Sequence, residues 1–146
     1  VSAALVAECA AWAADRGQTL YQLLQEIYSI YGYRMESMVY IVRKGKTGAA
    51  EIASIMSSYR NNPPERIAGR KVVKVIDYLK PEETGLPSSN VLQFLDDEGD
   101  IVSVRPSGTE PKIKFYVETM GKAREGLEEK ALALNNDFRR IAGIDA

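Results

Sequence analysis

The sequence contains no histidine, a single cysteine (Cys9) and no apolar run long enough to span a membrane. Without histidine, Ser–His and Cys–His nucleophilic catalysis and a histidine general base are excluded. One cysteine cannot form an intramolecular disulfide, and a Cys/His zinc site cannot be assembled around it. A reducing cytoplasm fits these absences, and it is the location we expect.

The sequence also lacks an excess of charge of either sign. Its 146 residues carry 19 Lys and Arg against 20 Asp and Glu, a net charge of −1. No global basic field therefore exists to hold nucleic acid or an anionic membrane, and neither is an expected partner. A small anion could be bound only by a local concentration of donors.

What is present at the start of the chain is an Ala-rich helix over residues 2–15 and a second helix that ends at Gly32. Thr19 and Gln22 form the capping-box pattern at the start of the second helix. Because two helices cannot build a core alone, we place a boundary near Gly32 and predict a helical unit at 1–32 and the main domain at 33–146. A start at Val1, inside a helix, favours a piece of a longer protein.

The pattern beyond Gly32 alternates between strand and helix signals. Thr47 is expected to cap a helix that ends at the Asn61–Pro64 segment, and Asp96–Asp100 is expected to turn a hairpin. The predicted strands are 35–42, 71–78, 91–95, 101–104 and 112–119, with a loop at 81–90 and a helix at the end. This order predicts an α+β fold, a mostly antiparallel sheet of four or five strands with helices on one face, preceded by two helices.

Two further segments resemble ligand sites but have simpler interpretations. The acidic run Asp96, Asp97, Glu98 and Asp100 does not have the spacing of an EF-hand loop, so we interpret it as a polar hairpin turn. The tripeptide 45–47 lacks the upstream glycine of a P-loop and is interpreted as a helix start.

One segment carries the chemistry of anion binding, Arg105-Pro-Ser-Gly-Thr-Glu-Pro-Lys112. Arg105 offers a planar fork that matches two phosphate oxygens and stays charged. Ser107 and Thr109 add hydroxyl donors, and Gly108 allows a turn in which successive amide groups converge on an anion. The same residue types are typical of an ordinary hairpin turn, and an arginine at a strand end is usually solvated, so composition alone leaves both interpretations open.

Arg105–Lys112, continued by Ile113–Glu118, resembles the C-terminal signature of the α-D-phosphohexomutase family, which includes phosphoglucomutases and phosphomannomutases. The order of elements from Tyr33 to Ala146 is similar to the fourth domain of that family. Residues 1–32 resemble the helical end of its third domain and the connection out of it.

The resemblance implies a parent enzyme that interconverts sugar 1-phosphates and 6-phosphates through a phosphoserine, a magnesium ion and a bisphosphorylated sugar. It implies that the fourth domain holds the phosphate that is not being transferred, through Arg105, Ser107, Gly108 and Thr109. Lys114 is either a supporting cation or a solvated strand lysine. Glu110 and Lys112 are assigned no contact and are expected to shape the loop.

The family's phosphoserine, magnesium and sugar-recognition loops have no counterpart in these 146 residues. We therefore expect no catalytic residue and no metal site in this chain, and an isolated chain without activity. Magnesium and the sugar bisphosphate would bind outside it, and its partners would be a phosphosugar and the missing domains. The alternative is a stand-alone interaction module that docks through the apolar faces of residues 2–31. The preferred hexose and the oligomeric state are left open.

Overall fold

The computed structural model describes residues 1–45 and 47–141. Its helices are α1 (Ser2–Asp15), α2 (Leu20–Tyr31), α3 (Gly48–Asn61), α4 (Pro81–Thr84) and α5 (Leu127–Ile141). Its strands are β1 (Tyr33–Val42), β2 (Arg66–Ile67), β3 (Arg70–Asp77), β4 (Leu92–Asp96), β5 (Ile101–Pro106) and β6 (Lys112–Gly121).

The strands form one antiparallel sheet in the order β1-β6-β5-β4-β3-β2, which confirms the predicted α+β fold. The sheet has six strands, so the predicted count of four or five was wrong. The additional strand, β2, has two residues, too few for a period of two to show in a sequence. The segment expected to be a loop at 81–90 also contains the single turn of α4.

The core lies between one face of the sheet and the helices α3 and α5. The alternation predicted for β6 is confirmed, because Ile113, Phe115 and Val117 are buried on that face. They meet side chains of α3 and α5 in one cluster whose aromatic members are Tyr59, Phe94, Phe115 and Phe138. The residues that alternate along each strand with these buried ones lie on the opposite face of the sheet, which we call the open face.

The two leading helices contribute little to this core. The predicted capping box is present, since the Thr19 hydroxyl accepts from the Gln22 amide and the Gln22 side chain accepts from the Thr19 amide. In α1 only Ala13 is buried, and α2 has no buried residue. The division at Gly32 remains a prediction. Among the described residues, no helix has both the length and the apolar character that a membrane crossing requires.

The acidic turn of the β4–β5 hairpin is more than a polar turn, because Asp96 and Asp100 are buried. Asp100 Oδ2 lies 2.8 Å from Arg70 Nη1 and 2.9 Å from Lys130 Nζ, while Glu98 lies 3.3 Å and 3.0 Å from the same two side chains. We call these five residues the charged cluster. It joins the hairpin to β3 and α5, a long-range pairing that no local sequence pattern indicates.

Candidate functional site

The loop between β5 and β6 (residues 107–111, the β5–β6 loop) is closed by short internal hydrogen bonds. The Ser107 amide donates to the Lys112 carbonyl at 2.7 Å, and the Lys112 amide donates to the Glu110 carbonyl at 2.7 Å. Lys112 Nζ also lies 2.7 Å from Glu110 Oε2. This hydrogen bond lowers the pKa of Glu110 and raises the pKa of Lys112. Both residues therefore shape the loop and neutralise each other.

Several donors in the loop remain available to a ligand. In the part of the chain that the structure describes, the amide groups of Gly108 and Glu110 have no internal acceptor. The Thr109 amide makes only a 3.5 Å contact to Ser107 Oγ. Consecutive amide groups without partners in a tight turn are the feature that attracts a small anion.

Gly108 is not required by the shape of this turn. It has no positive φ, and a Cβ built on it would meet nothing within 4 Å. The turn that Gly108 was expected to allow therefore does not depend on the conformational freedom of glycine. The absence of a side chain at Gly108 leaves open space beside the loop amides.

The β5–β6 loop forms one wall of a pocket of about 470 Å³, called here the loop pocket. Ser107, Gly108 and Thr109 all line it, so the structure brings three of the predicted site residues together. The opposite wall is the inner side of α3, where Ile52 and Met56 are buried. An apolar wall facing a wall of donors is the usual composition of a small-molecule site.

Arg105 and Lys114 lie beside the loop pocket and do not line it. They face each other directly in the register of β5 and β6, on the open face of the sheet. Within the described residues, neither side chain makes a salt bridge, although the charge of Lys114 adds to the effect of Lys112 in lowering the pKa of Glu110. The predicted residues thus form two adjacent groups, three donors in the pocket and two cations where the strands enter the loop.

Asn90 also lines the loop pocket, and reasoning from the sequence missed it. It lies in the Pro- and Ser-rich segment before β4, where nothing distinguishes one polar residue from its neighbours. Its placement depends on long-range contacts with β3 and α3 and becomes visible only in the structure.

Residues 1–45 and 47–141 do not provide a magnesium site. Among the described residues, no group of three or more acidic or cysteine side chains is arranged to hold a metal ion. The buried carboxylates of Asp96 and Asp100 are occupied by Arg70, Lys130 and backbone amides.

Comparison with known proteins gives a consistent picture. The family described as "Phosphoglucomutase/phosphomannomutase, C-terminal domain" matches residues 41–134. A phosphoglucomutase of Staphylococcus aureus strain MSSA476 is 37% identical over 128 residues, which are 81% of this chain and 23% of the relative. The phosphoglucomutase of strain MRSA252 is 41% identical over 111 residues, or 69% of this chain and 20% of the relative.

Among solved structures, pp63/parafusin from Paramecium, a phosphoglucomutase in an open form, has the same fold. The TM-score is 0.57 at 20% identity, over 86% of this chain and 23% of that protein. The chain therefore spans about a fifth to a quarter of the length of the relatives that it matches.

Proposed function

The chain belongs to the phosphoglucomutase/phosphomannomutase family as its C-terminal domain, and from this premise we propose that the β5–β6 loop binds the phosphate group of a sugar phosphate. Arg105 and Lys114 supply positive charge, Ser107 and Thr109 supply hydroxyl donors, and the amide of Gly108 completes the set. The isolated chain binds its ligand without transforming it, because it holds none of the groups that would transfer a phosphoryl group.

The observation that carries this proposal is the position of the two cations. Arg105 lies directly opposite Lys114 at the mouth of a loop in which the Gly108 and Glu110 amides have no acceptor, and within the described residues neither cation makes a salt bridge. Like charges placed opposite each other in an antiparallel pair destabilise a sheet. A bound dianion would remove that penalty and would satisfy the loop amides at the same time.

The affinity of the isolated chain should be low. Hydrogen bonds to a charged group contribute about 1.5–3 kcal/mol each when well placed. The site is open, since Arg105, Gly108 and Thr109 are exposed, so competition with water and the ordering of side chains offset most of that gain. We expect a dissociation constant in the millimolar range, a binding free energy of about −4 kcal/mol.

A titration of the ¹⁵N-labelled chain with glucose 6-phosphate, followed by amide chemical shifts, tests the proposal. The amide signals of residues 105–109 should move together and give one dissociation constant, whereas glucose at the same concentration should leave them unchanged. Shifts scattered over the sheet, or equal shifts with glucose, would refute a phosphate site in the loop.

For the longer protein we propose the activity that the family implies. It is an isomerase of carbohydrate metabolism, a phosphohexomutase that acts as an intramolecular phosphotransferase on sugar phosphates in the cytoplasm. The phosphoserine, the magnesium ion and the site of the sugar bisphosphate lie in parts of the protein outside this chain. The carboxylates of Asp96, Glu98 and Asp100 are committed to the charged cluster and would not hold magnesium.

We further propose that the exposed faces of α1 and α2 contact the remainder of that longer protein. Leu5, Val6 and Trp12 of α1 and Ile30 and Tyr31 of α2 are each about half exposed or more. The alternative, docking on an unrelated protein as a stand-alone module, rests on the same exposure. The gene upstream of Val1 distinguishes the two, because the phosphohexomutase proposal requires a phosphoserine motif and a metal-binding motif there.

A further inference from the structure

We propose that Asn90 is a further phosphate-binding residue of the loop pocket and that Arg60 positions it. The proposal rests on the proposed function, since it adds one neutral donor on the pocket side of the same β5–β6 loop. Asn90 lines the loop pocket together with Ser107, Gly108 and Thr109. Asn90 belongs to the β3–β4 connection, so it adds a contribution from outside the β5–β6 loop.

The backbone around Asn90 is held in place by the end of β3. The Ser89 amide donates to the Tyr78 carbonyl at 2.9 Å, and the Tyr78 amide donates to the Val91 carbonyl at 3.0 Å. Asn90 therefore lies between two residues that are both tied to Tyr78. Although it belongs to a long connection, its main chain is anchored where it passes the pocket.

The side chain of Asn90 is oriented by Arg60 of α3. Arg60 Nη2 donates to Asn90 Oδ1 at 2.5 Å, while Arg60 Nε lies 3.0 Å from Asp77 Oδ2 at the end of β3. Asp77 is fixed in turn, because its other carboxylate oxygen accepts from the Leu79 amide at 3.1 Å. The Asp77 carboxylate thus holds the Arg60 guanidinium in place, and the guanidinium in turn orients the Asn90 side chain.

The chemistry of arginine fixes which end of the amide is free. A guanidinium has donors and no acceptor, so the carboxamide oxygen must be the atom that faces it. The Nδ2 group then points away from Arg60 with two donor hydrogens, and it has no acceptor among the described residues. A donor that is free and already oriented loses less entropy on binding an anion than an unrestrained surface side chain does.

Substitution of Asn90 tests the proposal in the isolated chain, with glucose 6-phosphate and inorganic phosphate as the probes. Asn90→Ala should raise both dissociation constants about fivefold to tenfold, which corresponds to a loss of about 1–1.4 kcal/mol of binding free energy. Asn90→Asp should raise both dissociation constants further, because it places a negative charge beside the phosphate. Asn136→Asp, an exposed position on α5, adds the same charge elsewhere and should change affinity less than about twofold.

The positioning role of Arg60 is tested by a double-mutant cycle with Arg60→Lys. Lysine can keep the ion pair with Asp77 but cannot hold Asp77 and the Asn90 oxygen in the same fixed geometry. Arg60→Lys should therefore weaken phosphate binding in the parent chain and have little effect once Asn90 is alanine. Additive effects would show that Arg60 only stabilises the fold.

The outcomes separate this inference from the proposed function. If the parent chain shows no phosphate-dependent shift at residues 105–109, the proposed function fails and this inference fails with it. If the parent chain binds and Asn90→Ala binds equally well, with Asn90→Asp no weaker than Asn136→Asp, the phosphate site stands and the role of Asn90 is overturned. Thermal melting of each variant confirms that affinities are compared between folded proteins.

Discussion

At the scale of single residues, Arg105 is the side chain whose chemistry is hardest to replace. Arg105→Ala should weaken glucose 6-phosphate binding by about tenfold or more, because it removes a charge-assisted contact. Arg105→Lys should recover only part of the loss, since an ammonium group cannot make the two-pronged contact with a phosphate. Titration of both variants by amide shifts measures the effect.

Arg124→Ala is the matched control for Arg105, because Arg124 is an exposed arginine in the connection between β6 and α5, away from the loop pocket. It should bind as the parent chain does. Equal weakening in Arg124→Ala would indicate that only the net charge of the chain matters and that Arg105 has no specific contact.

Two glycines, Gly48 and Gly108, should respond differently to substitution by alanine, one through stability and the other through phosphate binding. A Cβ on Gly48 would lie 2.0 Å from the Arg43 carbonyl oxygen, a backbone atom that cannot move aside without shifting the start of α3. Gly48→Ala should therefore lower the free energy of unfolding by about 1–3 kcal/mol. Gly108→Ala should change stability little but should weaken phosphate binding, because the new methyl group occupies open space beside the loop amides.

Urea unfolding and the phosphate titration together test this pair of glycines. Gly108→Ala with unchanged affinity would contradict the idea that Gly108 leaves room for a ligand. Gly48→Ala with unchanged stability would mean that the β1–α3 connection adapts more easily than its contacts indicate.

At the scale of elements, the charged cluster holds the β4–β5 hairpin to β3 and α5. Lys130→Met removes the amine from Asp100 and Glu98 and leaves the buried Asp100 carboxylate with Arg70 as its remaining cation. Removing one partner of a buried pair is costly, and with Arg70 retained we expect a loss of about 2–3 kcal/mol. Lys122→Met, at an exposed lysine in the connection between β6 and α5, should have little effect.

The pH dependence of this loss follows from the two pKa shifts. The hydrogen bond from Lys130 lowers the pKa of Glu98. The stabilisation that comes from ionised Glu98 is therefore present above the ordinary glutamate pKa range, and it is lost as pH falls through the lowered pKa. Burial works to lower the pKa of Lys130, but hydrogen bonds to Asp100 and Glu98 outweigh burial and leave the pKa raised. The stabilisation that comes from protonated Lys130 therefore persists until pH rises through the raised pKa.

The contribution of the Glu98–Lys130 pair should therefore be complete between about pH 5 and pH 10. The stability difference between the parent chain and Lys130→Met should be larger at neutral pH than near pH 3, as measured by urea unfolding at both values. A constant difference across that range would mean that Lys130 acts through packing alone.

The elements also show what the sequence could predict and what it could not. The alternation of β6 and the capping box of α2 were predictable, because each is a local pattern with a fixed period or spacing. Strand β2 and the turn α4 are too short to carry such a pattern. The charged cluster and the Arg60–Asn90 contact join residues far apart in the sequence, and only the packed structure brings them together.

At the scale of the whole molecule, the exposed apolar side of α1 and α2 should make the isolated chain self-associate as its concentration rises. Sedimentation velocity over a range of concentrations measures this association. The double substitution Leu5→Ser and Trp12→Ser should reduce it. The control, Leu86→Ser with Leu132→Ser, removes apolar residues exposed elsewhere and should leave it unchanged. A parent chain that stays monomeric at all concentrations would contradict the prediction.

The facing pair Arg105 and Lys114 should make the thermal stability of the chain depend on whether an anion is bound. Without an anion, these like charges repel each other one pair before the end of the β5–β6 ladder, and this end of the sheet should be among the first parts to open on warming. A dianion seated there would bind the folded form in preference to the unfolded form, so the melting temperature should climb with phosphate concentration. Neutral salt should blunt that climb by screening both the repulsion and the attraction.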